Sequence, residues 1–514
     1  MRSLASLPIR NDQLAHTRAL LIARIALVLY LVELLLNLTR PRVMPGEPSL
    51  SIFYKAPSGL DKMPGFADSL DRLLSMPRAV FWCLLAGIAA GVVLQIVAAV
   101  TTRRSDRRPV VLTWLTLGCL LLPFGLLSLV VVIEYVPVTL ACVPSTVCVL
   151  LLLRGGVRFA RVPLAALLAA FGWGALIVFG LGRAYSGLAF GTIFGYLGQS
   201  SLTDISRFAH NQFRSIDLLL AHLSVVDALA IAGGVVLLFL LFRHRVTDAV
   251  SGLILGAAVG LGFNFVESIL YIKIYGSLGD MLGSSGGFAY WIRQSVGLLG
   301  GQVACGALLG AGLGVAARAR QRGLVAAAAV VAAIGATTGA DILSGWLSGQ
   351  LRDQVDVGST LDVLVVSPAL WLLPQLPFIA LAVVLLARGL RARAPALKAA
   401  VAKEVAAGSA ITQAEVPVLV SPVLRLWAVA GTWRWHGRRA ALALHRLHSV
   451  QLDLASQHVR TAPASGSQAE GQASGQAGEH AGERADLQTA VQQMDELRAR
   501  IARLKGGQQP EVTP

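Results

Sequence analysis

Apolar residues along this chain gather in runs of about 20, the length an α-helix needs to cross the hydrocarbon of a bilayer, with short clusters of Arg, Pro, Gly and Ser between them. Ten such runs are legible, over residues 19–38, 79–100, 110–133, 136–153, 162–182, 221–242, 249–273, 289–316, 324–346 and 364–387. Each predicts a membrane-spanning helix, the fourth being the shortest. The glycines, prolines and serines inside them are tolerable in lipid because neighbouring helices can satisfy the freed backbone groups. The pattern changes after the last run. Residues 391–460 are basic and amphipathic, with Trp427, Trp433 and Trp435 beside Arg434, Arg438 and Arg439, and predict a cytoplasmic helix lying on anionic lipid. Residues 461–484, rich in Ala, Gly, Ser and Gln, read as a flexible linker. In 485–514, Leu487, Ala490, Met494, Leu497, Ile501 and Leu504 recur at heptad spacing. That predicts either self-association through 485–505 or a single amphipathic helix.

Composition sharpens this into an all-α polytopic membrane bundle with a cytoplasmic helical tail. Of 514 residues, 55% are hydrophobic and 14% charged, against about 25% charged in soluble domains. Mean hydropathy is +0.66. A soluble enzyme, a disordered regulator and a disulfide scaffold are excluded, since such a surface would expose far more apolar area than a soluble monomer tolerates. The net charge of +16 sits in short loops and in the tail, so it predicts membrane topology and contact with anionic lipid rather than nucleic acid. Arg103, Arg104, Arg107 and Arg108 follow the second run, Arg154, Arg158 and Arg161 the fourth, Arg243 and Arg245 the sixth, and Arg318, Arg320 and Arg322 the eighth. The alternation predicts a multi-pass cell-membrane protein with both termini cytoplasmic. Cys83, Cys119, Cys142, Cys148 and Cys305 lie in apolar runs without a C-x-x-C pair and read as packed small residues.

Runs seven to nine carry the pairs Gly256/Gly260, Gly297/Gly301, Gly310/Gly314 and Gly335/Gly339. This spacing lets helix backbones approach closely in lipid and predicts a tight sub-bundle. Polar residues fall in the same region: Asp227 in run six, Glu267 in run seven, Gln302 in run eight and Asp341 in run nine. A carboxylate in hydrocarbon is costly unless paired, protonated or wetted, which makes each a candidate functional residue. With the loop-derived orientation all four fall in the outer half of the bundle. Asp227 and Asp341 could equally face an aqueous margin, and Gln302 could be a helix–helix hydrogen-bond partner.

The stretch GAAVGLGFNFVESILYI, residues 256–272, resembles the central signature of the PrsW-type intramembrane proteases, distant relatives of the CAAX- and bacteriocin-processing membrane proteases. Phe263 and Glu267 supply the Phe-x-x-x-Glu pattern, followed by Ser268, Leu270 and Tyr271. VPLAALLAAFGWGAL at 162–176, and Arg293 followed by GQVACGALLGAGLG at 301–314, resemble further family spans. The resemblance covers roughly 160–350, so the chain divides into an N-terminal transmembrane region (1–160), a PrsW-like core (161–350), a last span (351–390) and the three-part tail. The family's Glu-Glu-x-x-Lys is replaced by Asp227, Ala228 and Ile231, and its His by Gln302; Asp341 stands near the place of a further missing His.

Peptide hydrolysis needs a water, a base and donors for the oxyanion. The resemblance implies an intramembrane endopeptidase acting on a single-span membrane protein, with Glu267 as base, Asp227 as acidic partner, and Gln302 and Asp341 completing the catalytic set. Phe263, Asn264 and Arg293 would contact substrate. No metal and no other cofactor are expected, because no histidine remains in the matching positions. The departures imply an alternative, a non-catalytic descendant that binds transmembrane segments or partners. Intramembrane carboxylates also allow a proton-linked transporter.

Overall fold

In the computed structural model, the residues described are scattered positions up to 97 and, with single gaps, 110–157, 164–183, 202–242, 248–281, 292–351, 360–461 and 477–506. Among them no strand occurs. The helices are α1 (Trp82–Leu94), α2 (Val110–Glu134), α3 (Val136–Val157), α4 (Leu164–Trp173), α5 (Leu202–Phe242), α6 (Ala249–Met281), α7 (Gly301–Ala316), α8 (Arg322–Leu351), α9 (Ser367–Leu372), α10 (Leu376–Ala406), α11 (Val416–Val420), α12 (Pro422–Thr461) and α13 (Ala477–Gly506).

The protein is an all-α membrane helix bundle. Five described helices are long and apolar enough to cross a bilayer, or seven if two bent pairs count as one span each. The five coincide with the predicted runs four to seven and nine. Run three is the 25-residue α2, run two is described mainly over Trp82–Leu94, run eight holds the 16-residue α7, and the last run is bent by 61° between Leu372 and Leu376. Most of the first run lies outside the described residues.

The chain forms two compact units, residues 1–154 with 163–385, and 155–162 with 386–514. In the first, α6 is the central helix. Its apolar window is 89% buried, against 17% for α8, because glycines clear both of its sides. On one side Gly252, Gly256 and Gly260 meet the backbone of α7 at Gly310, Gly306 and Gln302; a Cβ on Gly256 would stand 2.0 Å from the Gly306 carbonyl oxygen. On the other side α6 packs on α4 and its continuation, where Gly174 abuts Val259 and Gly262 abuts Phe171. The pairs Gly256/Gly260 and Gly310/Gly314 therefore build the predicted close approach; of the pair Gly297/Gly301, Gly297 lies outside the described residues and a Cβ on Gly301 would meet only Gln375. Gly335 and Gly339 of α8 do not, since a Cβ at either would meet nothing within 4 Å.

The second unit packs Leu397 and Val401 of α10, Leu419 of α11, Leu447 and Leu454 of α12, and Met494 and Ile501 of α13 into one apolar cluster. Leu497 and Leu504 join its edge. The described part of the heptad face is thus buried against the chain's own helices; the side chains of Leu487 and Ala490 lie outside the described residues. Glu404, fully buried, accepts hydrogen bonds from Arg498 at 2.6 and 3.3 Å and pairs with His458. Glu415 is bound by Lys505 at 3.0 Å.

Candidate functional site: an arginine-clamped glutamate

The site is assembled at one end of the α6 core. Between α4 and its end at Arg183 the helix widens into a π-turn over Gly174–Val178. One extra residue per turn rotates everything after it by about 100° relative to a regular helix, and π-turns recur at functional sites. Trp173 pins the turn by donating from Nε1 to the Gly234 carbonyl of α5 at 3.1 Å. Arg183 then enters the bundle 6% exposed. Gly182 beside it has no Cβ, and one would stand 3.0 Å from Asp227 Oδ1.

Arg183 Nη2 donates to Glu267 Oε1 at 2.5 Å and lies 3.4 Å from Asp227 Oδ2. Glu267 has a second cation, Arg293 Nη1, at 3.8 Å from Oε2. Both guanidiniums lie against the ring of Tyr271, one turn on from Glu267, at 5.1 and 4.2 Å from its centroid. Such contacts hold the planar cations in place while leaving their N–H edges for carboxylates. Asp227 and Glu267 are 8% and 6% exposed. Four helices or helix ends thus contribute two anions and two cations, a neutral cluster in which each charge is compensated where burial would otherwise forbid it.

The other predicted site residues are placed differently. Asp341 is exposed and accepts from Ser224 Oγ at 2.5 Å, one turn before Asp227 on α5. Gln302 opens α7 at the level of Gly260, about two turns along α6 from Glu267. Phe263 is fully buried and packs edge-on against Phe179, ring centroids 5.5 Å apart, so it fills the core beneath Glu267. Asn264 is 7% exposed. Asp227 Oδ1, Asn264 Nδ2 and Gln302 Oε1 are buried without a hydrogen-bond partner in the protein. Arg293, expected from the sequence to touch substrate, is engaged with Glu267 and Tyr271. Arg183 is the residue that sequence reasoning missed. The signal that could have found it was charge balance, since it is the cation closing run five beside two spans with buried acids.

A family model described as "PrsW family intramembrane metalloprotease" matches residues 162–366. No curated protein and no solved structure matches the chain. The metal that this description implies does not fit the residues present. Among the described residues no group of three or more His, Cys, Asp or Glu could hold an ion. The gap between the two buried carboxylates is already filled by a guanidinium, whose fixed charge repels a second cation. The matched stretch runs from α4 to beyond α8 and contains Arg183, Asp227, Glu267 and Arg293, so residues 162–366 are similar to the PrsW family of intramembrane metalloproteases, here with an arginine between two buried acids.

Proposed function

We propose that this domain holds a membrane-spanning segment of another protein without hydrolysing it. One observation carries the reading: Glu267, the acid of the retained signature, is bound by Arg183 and faced by Arg293. A general base must accept a proton from a water within hydrogen-bond reach. Here one carboxylate oxygen already accepts from a guanidinium and the other faces a second cation. Binding is supported by the unpartnered buried atoms of Asp227, Asn264 and Gln302. A buried polar atom left unmatched costs about 1–3 kcal/mol, and the amide groups of an unwound peptide segment would supply the missing partners.

A second reading is favoured by the convergence of Asp227 and Glu267 on one guanidinium: an endopeptidase in which Arg183 withdraws and the paired acids activate water. Co-expression with candidate single-span proteins separates the two. Wild type, Glu267→Ala and Asp227→Ala are compared for cleavage products, and a photocrosslinker at Asn264 reports capture. The binding reading expects crosslinks and no product in any of the three. A product made by wild type and lost in Glu267→Ala overturns it in favour of the endopeptidase.

A further inference from the structure

The two halves of α12 are built in opposite senses. After Gly437, which has φ 81° and interrupts the helical backbone, the helix behaves as a soluble amphipathic helix should: Ala441, Leu447, Val450, Leu452 and Leu454 are buried. Before Gly437 the apolar residues point outward. Leu426 and Trp427 are each 72% exposed, Trp433 65% and Trp435 78%. The side turned inward carries Arg425, Ala428 and Thr432, and Arg425 donates to the Leu419 carbonyl. At 100° per residue Leu426, Ala430 and Trp433 share one strip, with Trp427 and Arg434 beside it.

We propose that residues 423–439 lie in the headgroup layer of an anionic bilayer, with Leu426, Trp427 and Trp433 entering the interface and Arg434, Arg438 and Arg439 meeting lipid phosphates. The residue types decide the occupant. Tryptophan prefers the membrane–water boundary, and arginines flanking such a face add affinity for anionic lipid, about 1 kcal/mol each, or roughly fivefold. Residues 423–436 span only about 21 Å as a helix, short of the ~30 Å of a bilayer core. The Arg cluster at one end also favours lying in the plane over crossing it.

The test uses the full chain, with native cysteines replaced and a bimane label on Ala430→Cys, reconstituted in nanodiscs of neutral lipid or of neutral lipid with phosphatidylglycerol. Expected are a blue shift and strong quenching by shallow nitroxide lipids in the anionic discs, and loss of both on Arg434→Glu/Arg438→Glu/Arg439→Glu or in about 1 M salt. These three arginines are exposed, so the triple variant should fold as wild type does. Equal signals in neutral and anionic discs, a label that stays water-exposed in both, or quenching mainly by deep nitroxides would each overturn the proposal. The first would point to insertion that does not depend on lipid charge, the second to a protein partner and the third to a spanning helix.

Discussion

Arg183 Nη2 sits 2.5 Å from Glu267 Oε1 and 3.4 Å from Asp227 Oδ2, so one guanidinium bridges two acids buried on neighbouring helices. Three helical segments are tied together by this contact.

Removing the bridge leaves two carboxylates buried without it. Breaking a buried pair by deleting one partner costs about 3–5 kcal/mol. Arg183→Met is therefore expected to lower the thermal unfolding midpoint in detergent markedly. Adding Glu267→Gln to that variant should recover part of the loss, because the uncompensated charge is gone. A double mutant no more stable than Arg183→Met would show that the pair is not coupled.

The two sets of glycine pairs should answer oppositely to the same substitution. Gly256→Ala drives a methyl into the Gly306 carbonyl. Overpacking of this kind costs about 1–3 kcal/mol, and here backbone is the obstacle. Gly335→Ala meets open space and gains helix propensity of up to ~1 kcal/mol. The folded fraction by size-exclusion chromatography should fall for the first and hold or rise for the second.

Asp341 is tied to α5 through Ser224. In a cysteine-free background, Ser224→Cys/Asp341→Cys is expected to form a disulfide on mild oxidation of native membranes, detected by mass spectrometry of the linked peptides. Ser224→Cys/Gly335→Cys is the control and should remain open. Equal yields from the two pairs would contradict the packing of α5 on α8.

The tail unit should be acid-labile. Glu404 lies well past the last predicted span. Burial alone would raise its pKa, but hydrogen bonds from Arg498 and His458, together with their charges, outweigh this and hold it below the ordinary 4.5. A carboxyl depressed in the folded state binds fewer protons there than when unfolded. Its stabilisation is complete at neutral pH and is lost as pH falls below about 4.5 and through the depressed value. Limited proteolysis of α13 in the full chain should accelerate over that range, and Arg498→Ala should bring the acceleration to neutral pH. Cleavage rates that stay constant from neutral pH to well below the ordinary carboxylate range would refute this role for Glu404.

Composition and period were sufficient to settle the fold class. Runs of about 20 apolar residues can only be buried as helices in lipid. The Phe263/Glu267 spacing with its glycine-rich approach marked the domain, and Gly252, Gly256 and Gly260 needed only helical periodicity to announce a close neighbour. The sequence could not say which glycines would be used, since Gly335 and Gly339 have the same spacing as Gly256 and Gly260 but face no backbone. It placed Phe263 beside Glu267 on one helix face, yet only packing against Phe179 turned that ring into core. The heptad spacing of α13 does not say what its face meets within the chain; the fold packs Met494 and Ile501 with Val401 of α10 and Leu454 of α12. Arg183 shows the reason most clearly: it lies 84 residues from Glu267, in a span whose own pattern is ordinary, and only a π-turn and the packing of α4 on α6 carry its charge between the two acids.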